Sequence, residues 1–163
     1  MKEQLLALNM DSTVEEAVIV KQRYLDRYPA VSQFYSRAIL EARDGSIAYS
    51  IIGRQRYLPN LHSQAPGARW KAERQSTNLP IQGGAADVVR LAMNILDSIE
   101  LEQRFGARML LQVHDELLFE CPEDTCEEAL KEICGWMEPP LPDDLAVPLT
   151  VAAHIVDNWG DAK

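Results

Sequence analysis

Two short apolar segments, Met109-Leu110-Leu111-Gln112-Val113 and Leu117-Leu118-Phe119-Glu120, are separated by His114, Asp115 and Glu116. A carboxylate held at the end of a rigid hairpin can bind a divalent metal with little reorganisation, and Asp115 is the better ligand candidate of the two acids. An octahedral Mg²⁺ site acting on phosphates takes one or two protein carboxylates, with substrate oxygens and water in the other positions, so a second acid is expected from elsewhere in the fold. The same triplet also suits a polar turn that does nothing but close a hairpin, and its residue types alone do not choose between the two.

A second series is Arg74, Asn78 and Gln82, spaced by four, with Arg54 and Arg56 shortly before. Asn and Gln amides both donate and accept, so they can probe the acceptors common to the minor-groove edges of all base pairs, while arginine holds phosphate or sugar oxygens. Such contacts test shape without reading sequence; the alternative is ordinary polar groups near a helix start. Other candidates are weaker. His62 falls in a polar loop and His154 on an alternating segment, neither with ligand spacing to Asp115. Cys121, Cys126 and Cys134 match no zinc knuckle and read as small buried or half-buried groups. Gln82-Gly83-Gly84 lacks the lysine and upstream strand of a phosphate loop, and its glycines suit a close approach at a helix start.

The chain of 163 residues, 47% hydrophobic, is long enough to fill a core without disulfides. Three cysteines without an export signal point to a reduced compartment, and no apolar run approaches the roughly 18 residues of a membrane span. A soluble, cytoplasmic protein with no membrane partner is expected. The formal charge of −9 counts against nucleic-acid binding, but it averages two opposite stretches. Residues 54–74 hold five basic side chains (Arg54, Arg56, Arg69, Lys71, Arg74) against Glu73, a local +4. From Asp115 onward, 13 acids face two lysines, a local −11. A phosphate backbone would meet the first stretch and be repelled by most of the second.

The elements that must position these residues follow from periodicity. Ser12 or Thr13 caps a helix, with Glu15 or Glu16 as the returning acid of a capping box; Val14, Ala17, Val18, Lys21, Tyr24, Leu25 and Tyr28 follow at helical spacing. Val31, Phe34, Tyr35, Ala38, Ile39 and Ala42 predict a second packed helix, ended by Asp44-Gly45. From Ser46 the period becomes two, Gly53 turns the chain, and residues 55–58 return, which predicts a hairpin. Residues 59–68 suit an irregular loop. A long helix is expected from about Gln82 to about Gln103, crossing a sheet, with Asp87, Arg90, Asn94 and Asp97 opposite its apolar face. Pro122-Glu123-Asp124 opens another, burying Leu130, Ile133, Cys134 and Met137 and stopped by Pro139; beyond the proline-rich stretch 139–148, Leu149, Val151, Ala153 and Ile155 alternate as a last strand.

Four segments, GRQRYLPNLHS (53–63), ERQSTNLPIQGGAADVVRLAM (73–93), LLQVHDELLFE (110–120) and the closing DNW (157–159), resemble in the same order and at similar spacings the C-terminal palm of family A DNA polymerases, the bacterial DNA polymerase I type. YLDRYPAV (24–31) is similar to the family's helical segment between fingers and palm, so the resemblance covers nearly the whole chain. It implies an α+β fold in which an antiparallel palm sheet packs with helices and is preceded by helices from the fingers side, as an incomplete polymerase domain. Residues 1–45 would be the helical segment following the fingers, and 46–163 the C-terminal part of the palm.

The implied activity is DNA-directed DNA synthesis: addition of deoxynucleotides from deoxynucleoside triphosphates to a primer 3′ end, with two Mg²⁺ ions. By resemblance, Asp115 is the metal-binding aspartate of the third polymerase motif, Glu116 its accessory glutamate near the primer end, and His114 the support of the primer terminus. Arg74, Asn78 and Gln82 match the residues lining the template-primer minor groove, and Arg54 lies in a stretch close to the duplex. The family's first motif, with the other catalytic aspartate, and its fingers helix have no counterpart here. The isolated chain is therefore expected to be inactive, since lost positioning alone removes orders of magnitude of rate. The readings are a subunit that works when a second polypeptide supplies the missing motifs, a truncated product, or a catalytically inactive palm fragment acting as a DNA-binding or assembly module.

Overall fold

The structure is a computed structural model that describes residues 3–138 and 147–161. The chain divides into two compact units, Met1–Pro80 and Ile81–Lys163.

In the first unit, helices α1 (Glu3–Asn9), α2 (Val14–Arg27) and α3 (Pro29–Arg43) precede a hairpin. Thr13 rather than Ser12 caps α2, and the capping box is reciprocal: the Glu16 amide donates to Thr13 Oγ1 at 3.2 Å, and the Thr13 amide donates to Glu16 Oε2 at 3.1 Å. Pro29 opens α3, where its missing N–H costs nothing. The packing of α2 is thinner than its periodicity suggests: Ala17 is its buried residue, while Val14, Val18, Tyr24 and Tyr28 are exposed. Strands β1 (Ile47–Tyr49) and β2 (Gln55–Tyr57) pair antiparallel as expected, in the register Ile47 with Tyr57 and Tyr49 with Gln55.

Residues 59–68 are not an irregular loop throughout. Pro59–His62 form a 3₁₀ turn, and Pro66 opens helix α4 (Pro66–Asn78). This helix escapes the periodicity argument because it has no apolar stripe. It buries only Ala72, Ser76 and Thr77, and the two hydroxyls are satisfied within the helix, donating to the carbonyls of Glu73 (2.8 Å) and Arg74 (3.0 Å). Ala42, Ala48, Leu58, Leu61, Ala72 and Leu79 form the unit's core, so α4 is fixed against α3 and β1 through small side chains.

In the second unit the expected long helix is two: α5 (Gly84–Ser98) and α6 (Leu101–Phe105). The break is at Glu100, whose φ of 56° is left-handed and ends the α-helical ladder. Asp87, expected on the solvent side, is instead buried at 1% exposure, with Arg90 Nη1 3.9 Å away. Strands β3 (Arg108–Val113) and β4 (Glu116–Glu120) pair antiparallel, and α7 (Cys126–Met137) starts four residues later than Pro122 suggests, after a turn closed by the Thr125 amide on the Pro122 carbonyl. Leu96, Leu101, Ala107, Ala129 and Ile133 form the core, flanked by Phe105, Met109, Leu117, Phe119 and Met137, so the hairpin's inner face packs on the helices.

The expected last strand is a correction. Residues 148–156 carry no strand, and among the described residues each sheet has two strands. Alternation gives a segment two faces, but a strand also needs a neighbour's free edge, and this stretch makes no ladder with β3 or β4. Residues 139–146 of the proline-rich stretch, Pro139 included, lie outside the described residues.

Candidate functional site

His114 and Asp115 form the two-residue turn of the β3–β4 hairpin, closed by the Val113–Glu116 pair. The register is pinned from both ends. Met109 pairs with Phe119 on the core side, then a bulge takes up Leu110 so that Leu111 faces Leu118. A slip of one residue would exchange the faces and expose Leu117 and Phe119, so burial fixes which residues reach the tip. At the tip, Gln112 Nε2 donates to the His114 carbonyl at 2.7 Å. His114 has φ 56° while Asp115 is not left-handed, the sign pattern of a turn that usually takes glycine first. A histidine held there is the kind of local conformational cost that clusters at functional sites.

The hairpin presents His114, Asp115 and Glu116 together, all three exposed. Among the described residues, no group of three His, Cys, Asp or Glu side chains is arranged to hold a metal ion. The donors that are present, two adjacent carboxylates open to solvent, are hard oxygens of the number that a phosphate-bridged Mg²⁺ takes from protein. Asp115 and Glu116 also line a groove of about 570 Å³, walled by Leu117 and Phe119 of β4, Ile133 and Cys134 of α7, and residues 150–156. Burial, and then the nearby Glu138 charge, push the Cys134 thiol above its usual range. On the outer side of α7, hydrogen bonds from Arg104 (2.9 Å) and Trp136 (3.3 Å) hold the Glu132 carboxyl below its usual range.

In the first unit, Arg74 and Asn78 lie one helical turn apart on α4 and are both exposed, while Arg54 is exposed just before β2. The Arg74 guanidinium lies over the Trp70 ring at 5.2 Å from its centroid. Trp70 was not among the candidates from sequence, although its spacing of four from Arg74 is the signal that finds it once α4 is recognised as a helix. Gln82, in the second unit, is exposed on the one-turn π-helical segment Leu79–Gly83 that leads into α5. Such turns recur at functional sites. His62 Nε2 is 3.1 Å from the Arg43 carbonyl.

The family profile described as DNA polymerase family A matches residues 1–161. The chain belongs to the family A DNA polymerases. Among its relatives, DNA polymerase I of Bacillus caldotenax is 37% identical over 158 residues, covering 97% of this chain and 18% of that protein. The thermostable DNA polymerase I of Thermus thermophilus is 40% identical over 149 residues, 91% of this chain and 17% of that protein. The chain thus spans less than a fifth of the length of these polymerases. A solved structure, the POL domain of Pol1 from M. smegmatis in complex with DNA primer-template and dNTP, superposes with a TM-score of 0.83 at 37% identity, covering 90% of this chain and 26% of that one. The α+β arrangement of small antiparallel sheets and helices is that of the family's palm region. Among the described residues, no helix is long and apolar enough to cross a membrane.

Proposed function

We propose that the chain is the duplex-facing and metal-holding part of a DNA-directed DNA polymerase, active with the remaining polymerase motifs supplied by a second polypeptide and operating in the cytoplasm. The observation that carries this reading is the hairpin tip, where a register fixed by the core places the consecutive acids Asp115 and Glu116 in solvent within a chain of this family. The substrates are a primer-template and deoxynucleoside triphosphates, and the reaction joins the primer 3′ oxygen to the α-phosphorus with release of pyrophosphate. Asp115 is the Mg²⁺ ligand, and Glu116 an accessory acid beside the primer end. Two Mg²⁺ ions supply, when bound, charge stabilisation of the attacking and leaving oxygens. His114 supports the primer terminus. Arg74, Asn78 and Gln82 face the minor groove close to the new base pair, and Arg54 lies beside the duplex. In this reading residues 1–45 continue from the fingers, and 46–163 belong to the palm.

The test is primer extension with Mg²⁺ after mixing the chain with a polypeptide carrying the other family A motifs. Extension by the mixture is expected, and Asp115→Ala lowers it by about 10²–10³-fold, the several kcal/mol that a metal supplies to the transition state, while duplex affinity stays within about two-fold. Absence of both complex and extension sinks the two-chain reading. Extension that survives Asp115→Ala at a comparable rate sinks the ligand assignment.

A further inference from the structure

We infer that Trp70 is a positioning residue for Arg74: the stacked indole holds an un-neutralised guanidinium on the exposed face of α4, aimed at the sugar-phosphate backbone of a duplex. The inference rests on the duplex-contact reading of Arg74 and adds a residue that the sequence motifs do not contain. Three observations carry it. Trp70 and Arg74 are four apart on one helix, and the guanidinium lies 5.2 Å from the ring centroid, within the range of a cation–π stack. Glu73, the one acid between residues 54 and 74, is taken by Arg43 Nη2 at 2.7 Å, and among the described residues no carboxylate pairs with Arg74. Trp70 is 46% exposed, so the stack sits in solvent, where a nucleic acid can reach the guanidinium, and is not part of the core made by Ala72 and its neighbours.

The physical consequence is preorganisation. A surface arginine without a partner samples many rotamers, and docking it against phosphate costs that freedom. A guanidinium held over an indole is already partly ordered and keeps N–H donors for phosphate, which a carboxylate partner would have consumed. Asn78 follows one turn further along the same helix, so an ordered Arg74 also fixes where the backbone must lie for the Asn78 amide to meet a base edge.

The experiment has two readouts. The first is the side-chain mobility of Arg74 in the chain itself, from relaxation of its Nε–Hε pair. Trp70→Ala should make it markedly more mobile, and Trp70→Phe, which keeps a smaller ring, should restore part of the order. The second is affinity for a primer-template duplex, measured in the complex with the polypeptide carrying the remaining motifs. There, Trp70→Ala should weaken binding about two- to five-fold, the scale of an exposed cation–π contact. Trp70→Phe should lose less, and Arg74→Ala should lose at least as much as Trp70→Ala. Unchanged Arg74 mobility in Trp70→Ala overturns the inference, as does unchanged affinity in Trp70→Ala when Arg74→Ala binds more weakly. If Arg74→Ala leaves affinity unchanged, the duplex-contact reading of Arg74 itself falls, and the positioning role with it.

Discussion

Replacing His114 by glycine should stabilise the hairpin and, on the proposed function, lower primer extension. His114 holds φ 56° at the first position of a two-residue turn, where an L side chain costs roughly 1–2 kcal/mol relative to glycine. Glycine gives back about 0.5–1 kcal/mol through the freedom it adds to the unfolded chain. The hydrogen bond at this residue is accepted by its backbone carbonyl from Gln112 Nε2, so it survives the substitution, and the exposed ring leaves no cavity. The net is a gain of about 0.5–1 kcal/mol, which slows hydrogen exchange of the β3–β4 ladder amides by about two- to five-fold under conditions where local opening limits exchange. His114→Asn, which tolerates the left-handed region but keeps a Cβ, should stay close to the parent, and the β-branched His114→Val should exchange faster. If His114→Gly leaves exchange unchanged or speeds it, the positive φ is not what the position demands. Primer extension by the assembled enzyme should nevertheless fall with His114→Gly, because the imidazole is gone while the scaffold is firmer. A variant that is both stabler and fully active would refute the role of His114 at the primer terminus.

Gly106→Ala tests the other end of the same strand. Gly106 has φ 69°, and a Cβ there would stand 2.9 Å from both Cδ and Cγ of Pro122, so left-handed strain and overpacking together should cost about 2–4 kcal/mol. A loss below about 1 kcal/mol in denaturant unfolding would show that the α6–β3 joint yields easily. Gln82→Ala, at an exposed position, should leave stability within about 0.5 kcal/mol. In primer extension it should reduce discrimination against a mispaired terminus by about two- to ten-fold, the worth of one hydrogen bond; an unchanged mismatch ratio argues that no groove contact is made.

What could be read from sequence was whatever is decided locally. The capping box, realised at Thr13 and Glu16, and both hairpins depend on neighbours within a few residues, and all are present. The misses are decided elsewhere. Glu100 enters the left-handed region although its residue type seldom does, so the split between α5 and α6 leaves no mark in the pattern. Residues 149–155 alternate like a strand, yet alternation specifies faces and says nothing of a partner edge. The triplet His114-Asp115-Glu116 stood out as an anomaly, but a turn and a metal-holding turn share the same residue types. The likeness to a family is what favours the second.

Helix α4 shows how much the −9 total averages away. Its polarity hid it as an element, since a helix anchored by Ala72, Ser76 and Thr77 carries almost no hydrophobic period. That same polarity is what a nucleic-acid surface needs: small side chains let the helix sit close to its unit, and long polar ones are left to point outward. Local charge then depends on pairing rather than composition. Arg43 on α3 engages Glu73, so the acid of the basic stretch is spent within the fold, while Arg69 spends its guanidinium on the Ser63 carbonyl at 3.2 Å. Arg74 is left over the Trp70 ring, with no carboxylate paired to it among the described residues. A field falling off over about 8–10 Å at physiological ionic strength is set by such near neighbours. Swapping Arg43 for a neutral residue should therefore weaken duplex binding without touching the duplex, by releasing Glu73 beside Arg74.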